Sequence, residues 1–91
     1  MIAAGVRPRL RRGVLLRYDG VRERHVLMYP EGVLVLNGTA ADILRHCDGA
    51  ATVADITATL RLRYQDVRDD DVADVLDRLA GRGMIEVDRH G

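Results

Sequence analysis

The chain has 91 residues, with 14 basic and 14 acidic side chains and a single cysteine. That length allows one small domain with one core, and the balanced charge singles out neither nucleic acid nor a membrane as partner. One cysteine excludes an internal disulfide and any cysteine-based metal cluster. The balance hides an asymmetry. Residues 1–29 carry seven Arg against Asp19 and Glu23, a net +5, and residues 30–91 carry seven Arg against twelve acids, a net −5. No apolar run is long enough to span a bilayer and the N-terminus has no signal-type hydrophobic region, so the expected location is the cytoplasm.

In chain order, residues 1–12 read as a flexible arm whose distinctive run is Arg7-Pro8-Arg9-Leu10-Arg11-Arg12. A single domain is expected over residues 13–88. Val14–Tyr18 reads as a first strand and His25–Tyr29 as a second, with the Asp19-Gly20 turn signal between them. Pro30 lacks an N–H and belongs at a strand end, so Pro30-Glu31-Gly32 turns the chain into a third strand, Val33–Leu36. This strand has no polar residue on either face, whereas a half-solvated strand alternates. Either the domain's own helices or a bound partner must cover it.

Three helices are expected next. The first, about Ala40–Cys47, has Thr39 and Asp42 at capping-box spacing with Asn37 as a rival cap, and Gly49 supplies a left-handed stop. Ala40, Ile43, Leu44 and Cys47 share one face, which makes Cys47 a small core residue. The second helix opens on the capping box Thr52–Asp55 and runs to about Arg63, with Val53, Ile56 and Leu60 as its stripe. The third begins at Asp69–Asp71, whose carboxylates suit a helix N-terminus, and repeats apolar residues at Val72, Val75, Leu76 and Leu79. Met84–Val87 is a last extended piece. The class is therefore α+β, a three-stranded N-terminal antiparallel sheet followed by three helices, similar to a winged helix-turn-helix.

Catalysis finds little support. His25, His46 and His90 are scattered, and His46 adjoins Cys47 without facing it on a helix. Gly81-x-Gly83 follows a helix, so it is no phosphate loop, and no ligand set for zinc or calcium is present. DNA binding would use the third helix in the major groove. That helix carries five Asp against two Arg over residues 69–82, a poor match for phosphates. The remaining lead is the apolar third strand. Its ordinary account is burial by the domain's own helices. Its functional account is β-augmentation, an extended peptide pairing with an open edge. The same edge offers a route to a paired-strand or domain-swapped homodimer.

Arg7-Pro8-Arg9-Leu10, Pro30-Glu31, Leu36-Asn37-x-Thr39-Ala40, Ile43-Leu44-x-x-Cys47-Asp48-Gly49, Thr52-Val53 with Ile56, Asp74-Val75 and Met84-Ile85 together resemble the PqqD family of pyrroloquinoline quinone biosynthesis. Gly38 departs from the pattern, where a larger residue is expected inside the cap. The resemblance implies a non-catalytic peptide chaperone without a cofactor of its own. It would bind the leader of a PqqA-like precursor peptide and present it to a radical S-adenosylmethionine enzyme, PqqE-like, which owns the iron–sulfur clusters. Similar domains serve other ribosomal-peptide pathways as recognition elements. Carried onto this chain, the leader would lie between Val33, Leu34, Val35 and Leu36 on one side and Val72, Val75, Leu76 and Leu79 on the other. If the leader is acidic, Arg17, Arg22 and Arg24 are the candidates to speed its encounter.

Overall fold

The computed structural model describes residues 2–88. Its elements run β1 (Arg7–Leu10), β2 (Leu15–Asp19), β3 (Arg24–Tyr29), β4 (Gly32–Val35), α1 (Gly38–Arg45), α2 (Val53–Leu60), α3 (Asp69–Gly81) and β5 (Ile85–Asp88). Strands β2, β3 and β4 form one antiparallel sheet in that order, and β1 pairs with β5 in a second, two-stranded sheet. The α+β class and the three-stranded sheet preceding three helices are as the pattern predicts.

The N-terminal segment is different. Residues 7–10, expected to be a flexible arm, are a strand, and Ile2 and Pro8 are buried. Backbone hydrogen bonds run from Gly49 N to Pro8 O, from Val53 N to Val6 O and from Ala54 N to Ala4 O, at 2.9–3.0 Å. The Pro8 carbonyl therefore points away from β5, and so does the side on which proline lacks its N–H. Arg11 N, of the other parity, bonds Met84 O at 3.0 Å. A proline at that register costs the ladder nothing. Arg9 Nε and Nη2 both donate to Glu86 Oε2, at 3.1 and 2.9 Å, across the same pair of strands.

One core lies between the three-stranded sheet and the helices. Leu27, Ile43, Leu44, Val53, Ile56, Val72 and Leu76 are fully enclosed there, and burying such a side chain contributes about 1.5–3 kcal/mol before ordering costs. Helix α1 starts earlier than expected. Asn37 is its cap, accepting from Ala40 N at 2.8 Å, and Thr39 falls inside the first turn. A Cβ at Gly38 would meet nothing within 4 Å, so the open cap there is sterically free. Asp42, freed from capping, is buried instead. Its Oδ2 accepts from the Tyr64 hydroxyl at 2.6 Å and from Arg63 Nη1 at 3.2 Å, and its Oδ1 faces Arg45 Nη1 at 3.0 Å. The Tyr64 hydrogen bond, opposed by burial and helped by Arg45 and Arg63, holds this carboxyl below the usual range. Gly49 does take the left-handed conformation that ends the α1 region, with φ +83°. Helix α2 carries the expected box, Thr52 Oγ1 accepting from Asp55 N and Asp55 Oδ2 from Thr52 N, each at 3.0 Å.

Candidate functional site

Strand β4 is an edge of its sheet, paired only with β3 through Val26↔Val35, Leu27↔Leu34, Met28↔Val33 and Tyr29↔Gly32. Beyond the last pair, Leu36 N donates to His25 O at 2.9 Å. In an antiparallel ladder, inward and outward backbone groups alternate by residue. Leu36 and Leu34 therefore direct their N–H and C=O groups toward β3, and Val33 and Val35 direct theirs to the open side. The strand is fixed at both ends. The two-residue turn Pro30-Glu31 closes one end, and at the other Arg24 Nε and Nη2 donate to Leu36 O at 3.3 and 3.2 Å. Asn37 then caps α1 directly, with no loop between strand and helix.

The two faces of β4 differ. Leu34 and Leu36 face the helices, where Leu36 is buried and Leu34 packs partly buried against the core. Val33 and Val35 lie on the outer face and remain 48% and 44% exposed. They continue cross-strand rows formed by Leu15 with Met28 and by Arg17 with Val26, in which Leu15 and Met28 are also large exposed apolar residues. The domain thus covers one face of this all-apolar strand and leaves the other open. Helix α3 offers less free surface than the resemblance implies. Val72 and Leu76 are wholly enclosed and Leu79 is buried, so the partly open residue of the stripe is Val75. The solvent side of α3 shows Asp70, Asp71 and Asp74, with Arg78 already paired to Asp74 at 2.9 Å. Such a face repels a phosphate backbone.

Where β4 begins and α3 ends, a pocket of about 420 Å³ brings the hairpin residues Tyr29, Pro30 and Glu31 against Arg82, Gly83 and Met84. Arg11, Arg12 and Val14 complete it. Sequence reasoning missed these arginines, because they come from opposite ends of the chain and meet only through the β1–β5 pairing. Of the arginines it did choose, Arg22 is held by Asp19 at 2.6 Å, Arg24 clamps Leu36 O, and Arg17 stands on the outer face.

Cys47 is not set up as a nucleophile. Burial, with Asp48 beside it, pushes the Cys47 thiol up to about 12, so no thiolate is available at neutral pH. Among the described residues no group of three or more His, Cys, Asp or Glu is placed to hold a metal ion, and no helix is long and apolar enough to cross a membrane. His90 lies outside the described residues.

A family model described as "Coenzyme PQQ synthesis protein D (PqqD)" matches residues 24–85. The chain belongs to the PqqD family. A PqqA binding protein of Azotobacter vinelandii is 40% identical over 82 residues, covering 88% of this chain and 89% of that protein. One from Klebsiella pneumoniae strain 342 is 46% identical over 68 residues, covering 72% and 74%. Among solved structures, the solution structure of the PqqD truncation of Methylobacterium extorquens PqqCD superposes with a TM-score of 0.73 at 38% identity. The match covers 94% of this chain and 95% of that one, which is described as a functional and stand-alone recognition element for ribosomally synthesized and post-translationally modified peptides. The heterocyclase TruD shares the fold, with a TM-score of 0.66 at 18% identity over 12% of its length. PqqD members are recognition elements of pyrroloquinoline quinone biosynthesis, not enzymes.

Proposed function

We propose that this chain is a peptide chaperone that binds the leader of a PqqA-like precursor by strand addition to β4 and presents it to a PqqE-like radical S-adenosylmethionine enzyme. The observation that carries this reading is the open edge at Val33 and Val35, held in extended form and lined by apolar side chains. Relatives named PqqA binding protein supply the peptide class. Two outward residues offer two N–H and two C=O groups, about 2–6 kcal/mol at the usual net value per hydrogen bond. Micromolar affinity needs about 8 kcal/mol, so peptide side chains must add apolar contacts. Leu34, partly buried on the helix side of β4, is the residue for them to meet, and Val75 is the partly open residue that α3 offers.

Amide hydrogen exchange tests the pairing. In the free protein the Leu34 and Leu36 amides are expected to be protected and those of Val33 and Val35 to exchange fast. Saturating synthetic PqqA peptide is expected to slow Val33 and Val35 selectively. Unchanged exchange at both, with the peptide demonstrably bound, places the peptide elsewhere. Delivery is tested separately, by whether the radical enzyme captures labelled peptide more efficiently with this chain present than without it.

A further inference from the structure

The pocket at the Gly32 end of β4 has a charge character that the edge itself lacks. Arg11, Arg12 and Arg82 line it against one carboxylate, Glu31, which leaves two positive charges in excess. Among the described residues none of the three guanidinium groups forms an ion pair within 4 Å, as is also true of Arg7, Arg17, Arg24, Arg61 and Arg68, but these three meet in one pocket. Arg11 makes one long contact, Nη1 to Gly83 O at 3.5 Å. A Cβ at Gly83 would stand 3.1 Å from that same nitrogen at a φ of +75°, so glycine keeps the guanidinium's place open. The walls are not all polar. Val14 and Met84 are buried there, and apolar walls strengthen an ionic contact relative to open water.

Position supplies the ligand. Tyr29, Pro30 and Glu31 immediately precede β4, and the Tyr29 hydroxyl lies 3.6 Å from where a Gly32 side chain would begin. A strand advances about 3.3 Å per residue, so a peptide leaving the edge past Gly32 reaches the pocket within two or three residues. Planar guanidinium forks suit a carboxylate better than a point charge does. We propose that the pocket of Arg11, Arg12 and Arg82 holds an Asp or Glu side chain of the bound peptide, just beyond the stretch paired with β4. This rests on the edge-pairing reading above. It adds a polar anchor that fixes the register of an otherwise sequence-tolerant backbone ladder.

The test is calorimetric titration of synthetic PqqA peptide into the parent chain and into the Arg12→Gln/Arg82→Gln variant. Both positions are exposed, so the variant should fold, as circular dichroism checks. Dissociation constants are expected to rise about tenfold in low salt, the equivalent of one charge-assisted contact, and to converge at high salt. Peptides with each Asp or Glu changed singly to its amide should include one that shows the same loss with the parent and no further loss with the variant. Equal affinity of parent and variant, while Val35→Pro weakens binding, overturns the pocket and leaves the edge standing. If Val35→Pro is equally silent, the edge reading itself falls. Inorganic phosphate is the competing source of anion. Displacement of the peptide by millimolar phosphate, with no single carboxylate change coupled to the arginines, overturns the assignment to a peptide side chain.

Discussion

Proline substitution along β4 distinguishes an edge from a core strand, because proline deletes one N–H at a known place. At Leu34 that N–H points to Leu27 in the ladder, in the fully enclosed centre of the sheet. Leu34→Pro loses a hydrogen bond worth about 0.5–1.5 kcal/mol and strands the Leu27 carbonyl at about 1–3 kcal/mol. It also gives up a partly buried leucine contact of roughly 1–2 kcal/mol. The sum, about 3–6 kcal/mol, approaches the whole stability of a small domain. Val35→Pro removes an N–H that faces solvent and replaces a half-exposed side chain, so its cost should stay near 1 kcal/mol. With peptide present the order reverses. Val35→Pro leaves a peptide carbonyl without its donor, weakening binding by about 1–3 kcal/mol, roughly fivefold to 150-fold. Urea unfolding followed by circular dichroism gives the first quantity and calorimetry with PqqA peptide gives the second. A stable Leu34→Pro, or a Val35→Pro that binds as the parent does, refutes the alternation deduced from the Leu36–His25 bond.

Other outcomes follow from the packing. Because Asp42 has a lowered pKa in the folded state, its contribution is present above the unfolded carboxylate value and is lost as pH falls through the folded one. Asp42→Asn should therefore be less stable than the parent at pH 7, with the gap closing below about pH 4 in thermal melts. Cys47 should resist thiol reagents in the native protein and label at the rate of unfolding; fast native labelling at pH 7 contradicts its raised pKa and burial. Deleting residues 1–10 takes β5's partner and the buried Ile2 and Pro8 together, and should lower the melting midpoint by ten degrees or more, at about 4–8 °C per kcal/mol. An unchanged midpoint would return that segment to the loose arm expected from its composition.

What the sequence disclosed follows from which forces are local. Turn signals, apolar runs, capping spacings and the 3.6-residue stripe located β2 to β4 and all three helices to within a few residues, since neighbours in the chain set them. Strand β1 was hidden because its arginines look solvated and its proline looks like a breaker. Its register depends on β5, which lies almost the whole chain away. The apolar run of β4 marked the candidate edge, but only the pairing with β3 assigns its outward residues. Helix α3 illustrates the opposite case. A helical stripe says which residues turn inward and not whether any of them keeps a surface, and Val72 and Leu76, which the resemblance assigns to the peptide's wall, are enclosed in the free chain. Of the pocket arginines, Arg11 and Arg12 stand in the distinctive basic run, but nothing local ties them to Arg82.

The pinning of β4 at both ends has a kinetic consequence. With a tight turn before it, the Arg24 clamp on Leu36 O after it and Asn37 opening α1 at once, the strand has no loop through which to relax. On the proposed pairing, the conformational entropy lost would fall on the peptide and not on the strand. Such a template would need no slow opening step of its own. The bound lifetime would then be set at the peptide's side, contact by contact, with release from one end while the domain keeps its shape.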